Sequence, residues 1–207
     1  AGQNLVPNPS FESNNCASVF WNWGISVSSE YNNCLVDWRF PVNDASPDYF
    51  NAASSWAGQN TVPNNAPGNQ SALTGSAYAG LYVYINGFSN YREYIYVPLT
   101  SALTVGASYT AEMYVSLGDE CLFKTNNLGM LFTTTASPSV GNSQFGALSG
   151  IMSQPAGSQL LNNAAVQSNS AGWTLITFNF VASAAHTYLF IGNFFNDAGT
   201  TIQAAPG

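Results

Sequence analysis

The sequence predicts an all-β fold, an antiparallel β-sandwich with long N-terminal loops, and three observations carry that expectation. From about residue 72 onward, short runs alternate apolar and polar side chains, the period of two that marks strands with one face on a core. Gly, Pro, Asn or Ser bound nearly all of these runs, as turn chemistry requires. No heptad, internal repeat or charge block breaks the pattern, and 207 residues suit one such domain, spanning 1–207, with a substantial core.

Residues 1–71 spread Asn, Pro and Gly among isolated aromatics such as Trp21, Trp23, Trp38, Tyr49, Phe50 and Trp56, which reads as long loops laid over a sheet. The stretch from Gly58 to Gln70 is a turn-rich crossing. The first clear strand follows: Leu81, Val83 and Ile85 alternate with Tyr82, Tyr84 and Asn86. A second run covers 91–97. In a third, Tyr109, Ala111, Met113, Val115 and Leu117 alternate with Ser108, Thr110, Glu112, Tyr114 and Ser116. Runs at 128–135, 173–181 and 187–195 complete the set. Between them, 136–172 is rich in Ser, Gly and Asn and holds one short strand or helical turn near Gln159 to Val166. Short antiparallel strands in this arrangement make a sandwich.

Only 6% of residues are charged, with three cations (Arg39, Arg92 and Lys124) against ten carboxylates, for a net charge of −7. Phosphate backbones and anionic membranes would be repelled, which argues against nucleic acid as a partner. A surface rich in hydroxyls, amides and Tyr suits neutral glycans, flat protein contacts or a repetitive assembly instead. No stretch approaches the roughly 18 to 20 apolar residues of a membrane-spanning helix, so membrane insertion by this chain is not expected. The opening Ala1-Gly2-Gln3 resembles what remains after an export signal is cleaved, and it points to an extracellular or cell-surface location.

The cysteines are Cys16, Cys34 and Cys121, an odd number without a Cys-x-x-Cys pair or companion histidines, which argues against zinc. A disulfide between Cys16 and Cys34 would staple the loop-rich N-terminal segment and leave Cys121 over. Three reduced, buried thiols are the alternative.

The segment Asn4-Leu5-Val6-Pro7-Asn8-Pro9-Ser10-Phe11-Glu12 resembles the first strand of galactose-binding-like jelly rolls, including carbohydrate-binding modules. Further segments are similar to a Bacteroidetes cell-surface jelly-roll family. They are Ser46-Pro47-Asp48-Tyr49-Phe50-Asn51, Val62-Pro63-Asn64-Asn65, Ala77-Tyr78-Ala79-Gly80, Tyr91-Arg92-Glu93-Tyr94-Ile95 and Ile191-Gly192-Asn193-Phe194. The likeness runs over almost the whole chain and implies a jelly-roll sandwich exported to the bacterial surface, often through the type IX pathway. It says little of activity, because fold does not fix function. Such domains usually close with a strand of Tyr-Ile-Asp-Asp-Val type, whereas this chain ends Ala204-Ala205-Pro206-Gly207. The expectation is a missing closing strand, through a cut chain or through an edge that a neighbour's strand fills.

Catalytic signatures are sparse. His186 is the only histidine and sits at a turn before a strand, and no Gly-x-Ser-x-Gly elbow, His-Glu-x-x-His helix or phosphate loop occurs. A glycan hydrolase would need only two facing carboxylates, and Asp37, Asp44, Asp48, Glu93, Glu112, Asp119 and Glu120 are available. The expectation is nevertheless that the chain is not an enzyme. Among metal ligands, the resemblance marks Glu12 as a candidate for structural Ca²⁺, with Asp197, Asp44 and Asp48 as weaker oxygen donors in loops. Otherwise no cofactor is expected, and the alternative for Glu12 is a solvated or capping carboxylate.

Arg92 and Glu93 are adjacent in a strand and so project to opposite faces. Arg92 is expected to meet Glu112 or another carboxylate across neighbouring strands as a structural ion pair, with ligand binding as its alternative role. Tyr82, Tyr84, Tyr94, Tyr96 and Tyr114 fall on one face of three consecutive predicted strands. Exposed, they would bind a ligand, since Tyr stacks on sugars and packs protein interfaces alike; covered by the loops of residues 13–70, they would be core. The leading function is therefore a non-catalytic module for glycan binding or adhesion to another surface protein. A self-assembling subunit of a surface layer, sheath or filament comes next, and a polysaccharide-acting enzyme last.

Overall fold

The computed structural model describes residues 2–15, 34–41, 47–54, 58–136, 138–141 and 150–205. Its strands, in chain order, are β1 (Asp48–Asn51), β2 (Asn64–Asn65), β3 (Gly68–Asn69), β4 (Ala77–Gly80), β5 (Ile95–Pro98) and β6 (Ser108–Val115). They continue as β7 (Phe123–Thr125), β8 (Leu128–Thr133), β9 (Gln159–Asn163), β10 (Thr174–Val181), β11 (Tyr188–Asn193) and β12 (Ile202–Ala204). Every pairing among them is antiparallel, and the all-β expectation holds.

One layer is a four-stranded sheet in the order β5-β11-β8-β9. Alternation sends Ile95, Val97, Met130, Phe132 and Leu189 to its inner face, where all are buried. Facing them are Tyr109, Ala111 and Met113 of β6 with Phe178 and Phe180 of β10. Those two strands form a ribbon in full register from Ser108↔Val181 to Val115↔Thr174. Each large side chain so enclosed contributes about 1.5–3 kcal/mol. The pair β1 and β4 adds Tyr49 and Ala77 to the same core.

N-terminal loops close one side, as expected. Asn8 anchors them with its side chain, donating to the carbonyls of Ser13 and Val36 and accepting from Ser13 N. Trp38 donates its indole N–H to Asn8 O at 2.9 Å and packs 2% exposed into the core. The Tyr49 hydroxyl donates to Phe11 O and accepts from Asn14. Trp21, Trp23 and Trp56 lie outside the described residues.

The outer face of the four-stranded sheet carries a second core of Tyr94, Leu131 and Phe190, covered by Val140, Met152 and Phe194. Three strand expectations need correction. The run 81–86 is not a strand; β4 precedes it, and Tyr82 is instead tied through N–H to Glu93 Oε2 and through C=O to Glu93 N. The chain then turns at Gly87, where φ is 86°. The run begun at 91 enters its ladder only at Ile95; before that, the N–H of Glu93 bonds to Tyr82 O instead. Beyond Phe194, where no further strand was expected, a turn through Asp197–Gly199 leads to β12, which pairs with β7. Near residue 159 the strand alternative is the one adopted, as β9.

Candidate functional site

A cleft of about 1370 Å³ opens between the two layers, and the way each strand lines it defines its geometry. From β5, β8 and β11 only alternate, inward-facing residues reach it, among them Ile95, Met130, Phe132 and Ile191. From β4 and β6 every residue reaches it, inward and outward alike. A strand that contributes one side chain in two presents a face; a strand that contributes all presents its edge. The inner sheet is thus the floor, and the edges of β4 and β6 are the walls.

Hydrogen-bond parity supports this placement. β4 is paired only with β1, and β6 only with β10, among the described residues. The bonds Ala182 N to Ala107 O and Leu117 N to Asn169 O set odd-numbered residues of β6 towards β10. In an antiparallel ladder, the backbone groups of Ser108, Thr110, Glu112 and Tyr114 then point to the other side, into the cleft. On β4, Ala77 N turns away from β1 to Glu12 Oε1, so the N–H and C=O of Ala79 face the cleft too.

Aromatic and amide side chains rim the opening. Tyr78 meets Trp173 edge to face at 5.4 Å, and Trp173 donates to Ser71 O. Tyr82 and Tyr114 are exposed, and Tyr84 packs edge-on to Phe123. Asn65, Asn69 and Gln70 supply amides, and no Lys, Arg or His lines the cleft among the described residues.

Asp48 stands in the wall, projecting from β1 with Phe50. It keeps some accessible surface but is otherwise packed round by protein, and this desolvation, followed by the nearby charge of Glu93, raises its carboxyl well above the ordinary carboxylate range. No hydrogen bond reaches its carboxylate among the described residues. Glu93 is fully buried and accepts from Tyr91 Oη and Tyr82 N, both at 2.7 Å. Burial, and then the charges of Asp48, Cys121 and Glu93, push the Tyr82 hydroxyl up. Asp48, Tyr82 and Cys121 therefore share the cleft wall, with Glu93 buried behind it.

The five tyrosines expected on one surface divide. Tyr82, Tyr84 and Tyr114 line the cleft. Tyr94 and Tyr96 do not: Tyr94 is 0% exposed in the second core, donating to Asn193 O and accepting from Met152 N, and Tyr96 stacks on Phe190 at 4.8 Å. Neither lines the cleft, because both lie on the opposite face of the sheet, Tyr94 sealed in and Tyr96 half-buried.

Arg92 is a structural residue, and its partner is Asp197 at 2.9 Å rather than Glu112. The guanidinium is fully buried and also donates to Phe195 O, Tyr91 O and Thr200 Oγ1, so it has no route to a ligand. Glu112 instead accepts from Thr177 Oγ1 across the ribbon. Asp197 is spent on Arg92 and on Asn90 N, which reaches its Oδ2 at 2.8 Å. Glu12 caps the start of β4, accepting from Ser76 N, Ser76 Oγ and Ala77 N; it is the capping carboxylate that the sequence offered as its second role. The two metal candidates thus serve separate hydrogen-bond sets, and no cluster of three or more His, Cys, Asp or Glu stands together among the described residues. His186 is buried with Nε2 on Gly157 O at 2.8 Å, a structural position.

Among the described candidate acids, Asp48 and Glu93 lie near enough for the charge of one to act on the other, and Asp119 accepts from Asn69 N; Asp44 lies outside the described residues. Cys34 is disulfide-bonded and Cys121 is a free thiol on the cleft wall; Cys16 lies outside the described residues. Tyr78, Trp173 and Cys121 were not read as site residues from the sequence, and neither were the open edges. A lone Tyr in a four-residue strand carries no periodic signal. Comparison with protein-family models, curated proteins and solved structures finds no match for this chain.

Proposed function

We propose that this chain is a non-catalytic, extracellular adhesion module that holds an extended segment of another surface protein as an added strand between β4 and β6. The observation that carries the reading is the pair of strand edges on the two sides of one cleft, each with backbone donors and acceptors that no other strand meets among the described residues. Such edges are templates for strand addition, where main-chain bonds give affinity and alternate side chains give specificity. The cleft also exceeds the roughly 300–1,000 Å³ of small-ligand sites, as a polymer segment requires. On its floor the half-buried Leu128 and Ile191 suit the apolar side chains of an alternating sequence.

Fluorescence anisotropy with labelled peptides of about eight residues, a usual strand length, tests this reading. An alternating apolar–polar peptide is expected to bind, and the same peptide N-methylated at every second residue is expected to bind at most one-tenth as well. Thr110→Pro removes a cleft-facing N–H and leaves the β10 ladder intact, so it should weaken binding without lowering the melting temperature much.

Glycan binding is the second reading, favoured by the rim of Tyr78, Tyr82, Tyr84 and Trp173 beside amides, with no cation among them. Tyr and Trp rings offer sugars an apolar face, and amides match their hydroxyls. Retardation of the protein in gels containing neutral polysaccharide, together with indifference to all strand peptides, would decide for glycans.

A further inference from the structure

Asp48 presents a problem in electrostatics that the fold alone leaves open. A carboxylate enclosed by protein is costly in its charged form unless a donor or a cation compensates it. Among the described residues no hydrogen bond reaches it, and the charge that acts on it is that of another acid, Glu93. The chain's two arginines are committed elsewhere: Arg92 pairs with Asp197, and Arg39 donates to the carbonyls of Leu35 and Trp38. Lys124 is not among the residues that line the cleft and lies in β7, whose backbone pairs with β12.

The acid is nonetheless kept at the cleft. Asp48 is placed by the β1–β4 ladder opposite Gly80, and the register is tight there. A Cβ on Gly80 would stand 2.6 Å from the Phe50 ring and 3.6 Å from Asp48 Cβ. Phe50 and the bare Gly80 backbone therefore fix Asp48 one strand behind the cleft-facing edge of β4, with no side chain at Gly80 standing between them. Glu112 and Asp119 add negative charge along the same opening, so the whole site favours cations.

We propose that Asp48 is a specificity determinant of this cleft, selecting a partner-protein strand that carries one Lys or Arg to pair with its carboxylate. The inference rests on the strand-addition reading and names its partner: an uncharged, alternating segment with a single cation at the position that meets Asp48. The described residues of a second copy do not supply that strand, because Arg92 and Arg39 are engaged as described and Lys124 lies in β7, whose backbone is already paired with β12. Pairing with a cation favours the ionised form of Asp48. The pair forms in a water-poor site, where close charge pairs are strongest.

The test uses the whole chain and a peptide series in which one Lys is moved through an otherwise neutral alternating sequence, with Gln in its place as control. One Lys position should raise affinity roughly tenfold or more over the Gln peptide, as close interfacial charge pairs do. With Asp48→Asn that gain should vanish, while the Gln peptide binds the variant as well as it binds the wild type, which also certifies an intact cleft. Equal affinity for Lys and Gln peptides on the wild type, or a Lys preference that survives in Asp48→Asn, overturns the selection by Asp48 and leaves strand addition standing. Failure of every peptide to bind overturns strand addition itself and the selection with it.

Discussion

Glu12 Oε1 accepts the N–H of Ala77 at 3.0 Å on the edge of β4 that faces away from β1. A side chain here takes the place of a strand: the carboxylate satisfies, at the first residue of β4, a donor that a ladder partner would otherwise meet. Gly75, at φ +64°, makes room, since a Cβ there would collide with the Glu12 carboxylate. Glu12→Ala is therefore expected to cost about 1.5–3 kcal/mol, the worth of a hydrogen bond to a charged group, by urea denaturation. The loss should be the same in EDTA and in millimolar calcium. A melting temperature that rises with calcium in the wild type and not in Glu12→Ala would restore the metal reading.

Removing the Arg92 guanidinium strands Asp197 and the carbonyl of Phe195. Arg92→Ala should cost about 3–5 kcal/mol, as breaking a buried ion pair does, and should leave peptide affinity per folded molecule unchanged. Weakened binding by correctly folded Arg92→Ala would return this residue to the ligand site.

Tyr94 and Tyr82 should behave oppositely. Tyr94→Phe deprives Met152 N and Asn193 O of a partner in a sealed core and should cost about 1–3 kcal/mol. Tyr82→Ala, at an exposed rim position, should change stability by no more than about 0.5 kcal/mol while weakening the cleft ligand. Calorimetric melting and anisotropy on the same preparations separate the two.

Asp48 sets a pH dependence whose sign is fixed by its environment. Its carboxyl holds the proton more tightly folded than unfolded, because burial and then Glu93 disfavour the charge. Its contribution to stability is thus full below the ordinary carboxylate range and is lost as pH rises through the higher folded value. Asp48→Asn, which never ionises, should melt above the wild type at pH 7, with the gap closing towards pH 4. A gap that stays constant with pH would remove Asp48 from this role.

Cys121 gives a chemical readout of the cleft. Its thiol is pushed up mainly by burial, with the Asp119 charge adding to the rise, so little thiolate is present at neutral pH. Alkylation by iodoacetamide at pH 7 should be slower than for a free thiol in solution, and slower again with a bound strand peptide. Labelling that ignores a bound peptide would place the occupant away from this wall.

How far the sequence could be read depends on which contacts leave a local trace. β6 and β10 were legible almost to the residue because each has one solvated face, so polarity alternates with the pleat. Tyr94 and Tyr96 misled for the converse reason. They alternate with Ile95 and Val97 as an exposed face would, but the outer face of their sheet is itself covered by Val140 and Met152, and polar-tipped aromatics suit a second core as well as they suit water. Arg92 was legible as a structural cation, but its partner lies at Asp197, far along the chain, where no periodicity links them. The cleft was the least legible, since it is made of backbone edges, and a sequence records side chains.

The opposed edges of β4 and β6 also have a mechanical meaning. A chain gripped along one edge peels away bond by bond when pulled across its length. A chain laid between two edges and pulled along its own axis loads the bonds on both sides together, in shear, and none can yield without the rest. A cleft with this geometry favours an attachment that tolerates tension, and the direction of pull, as much as affinity, would decide how long it lasts.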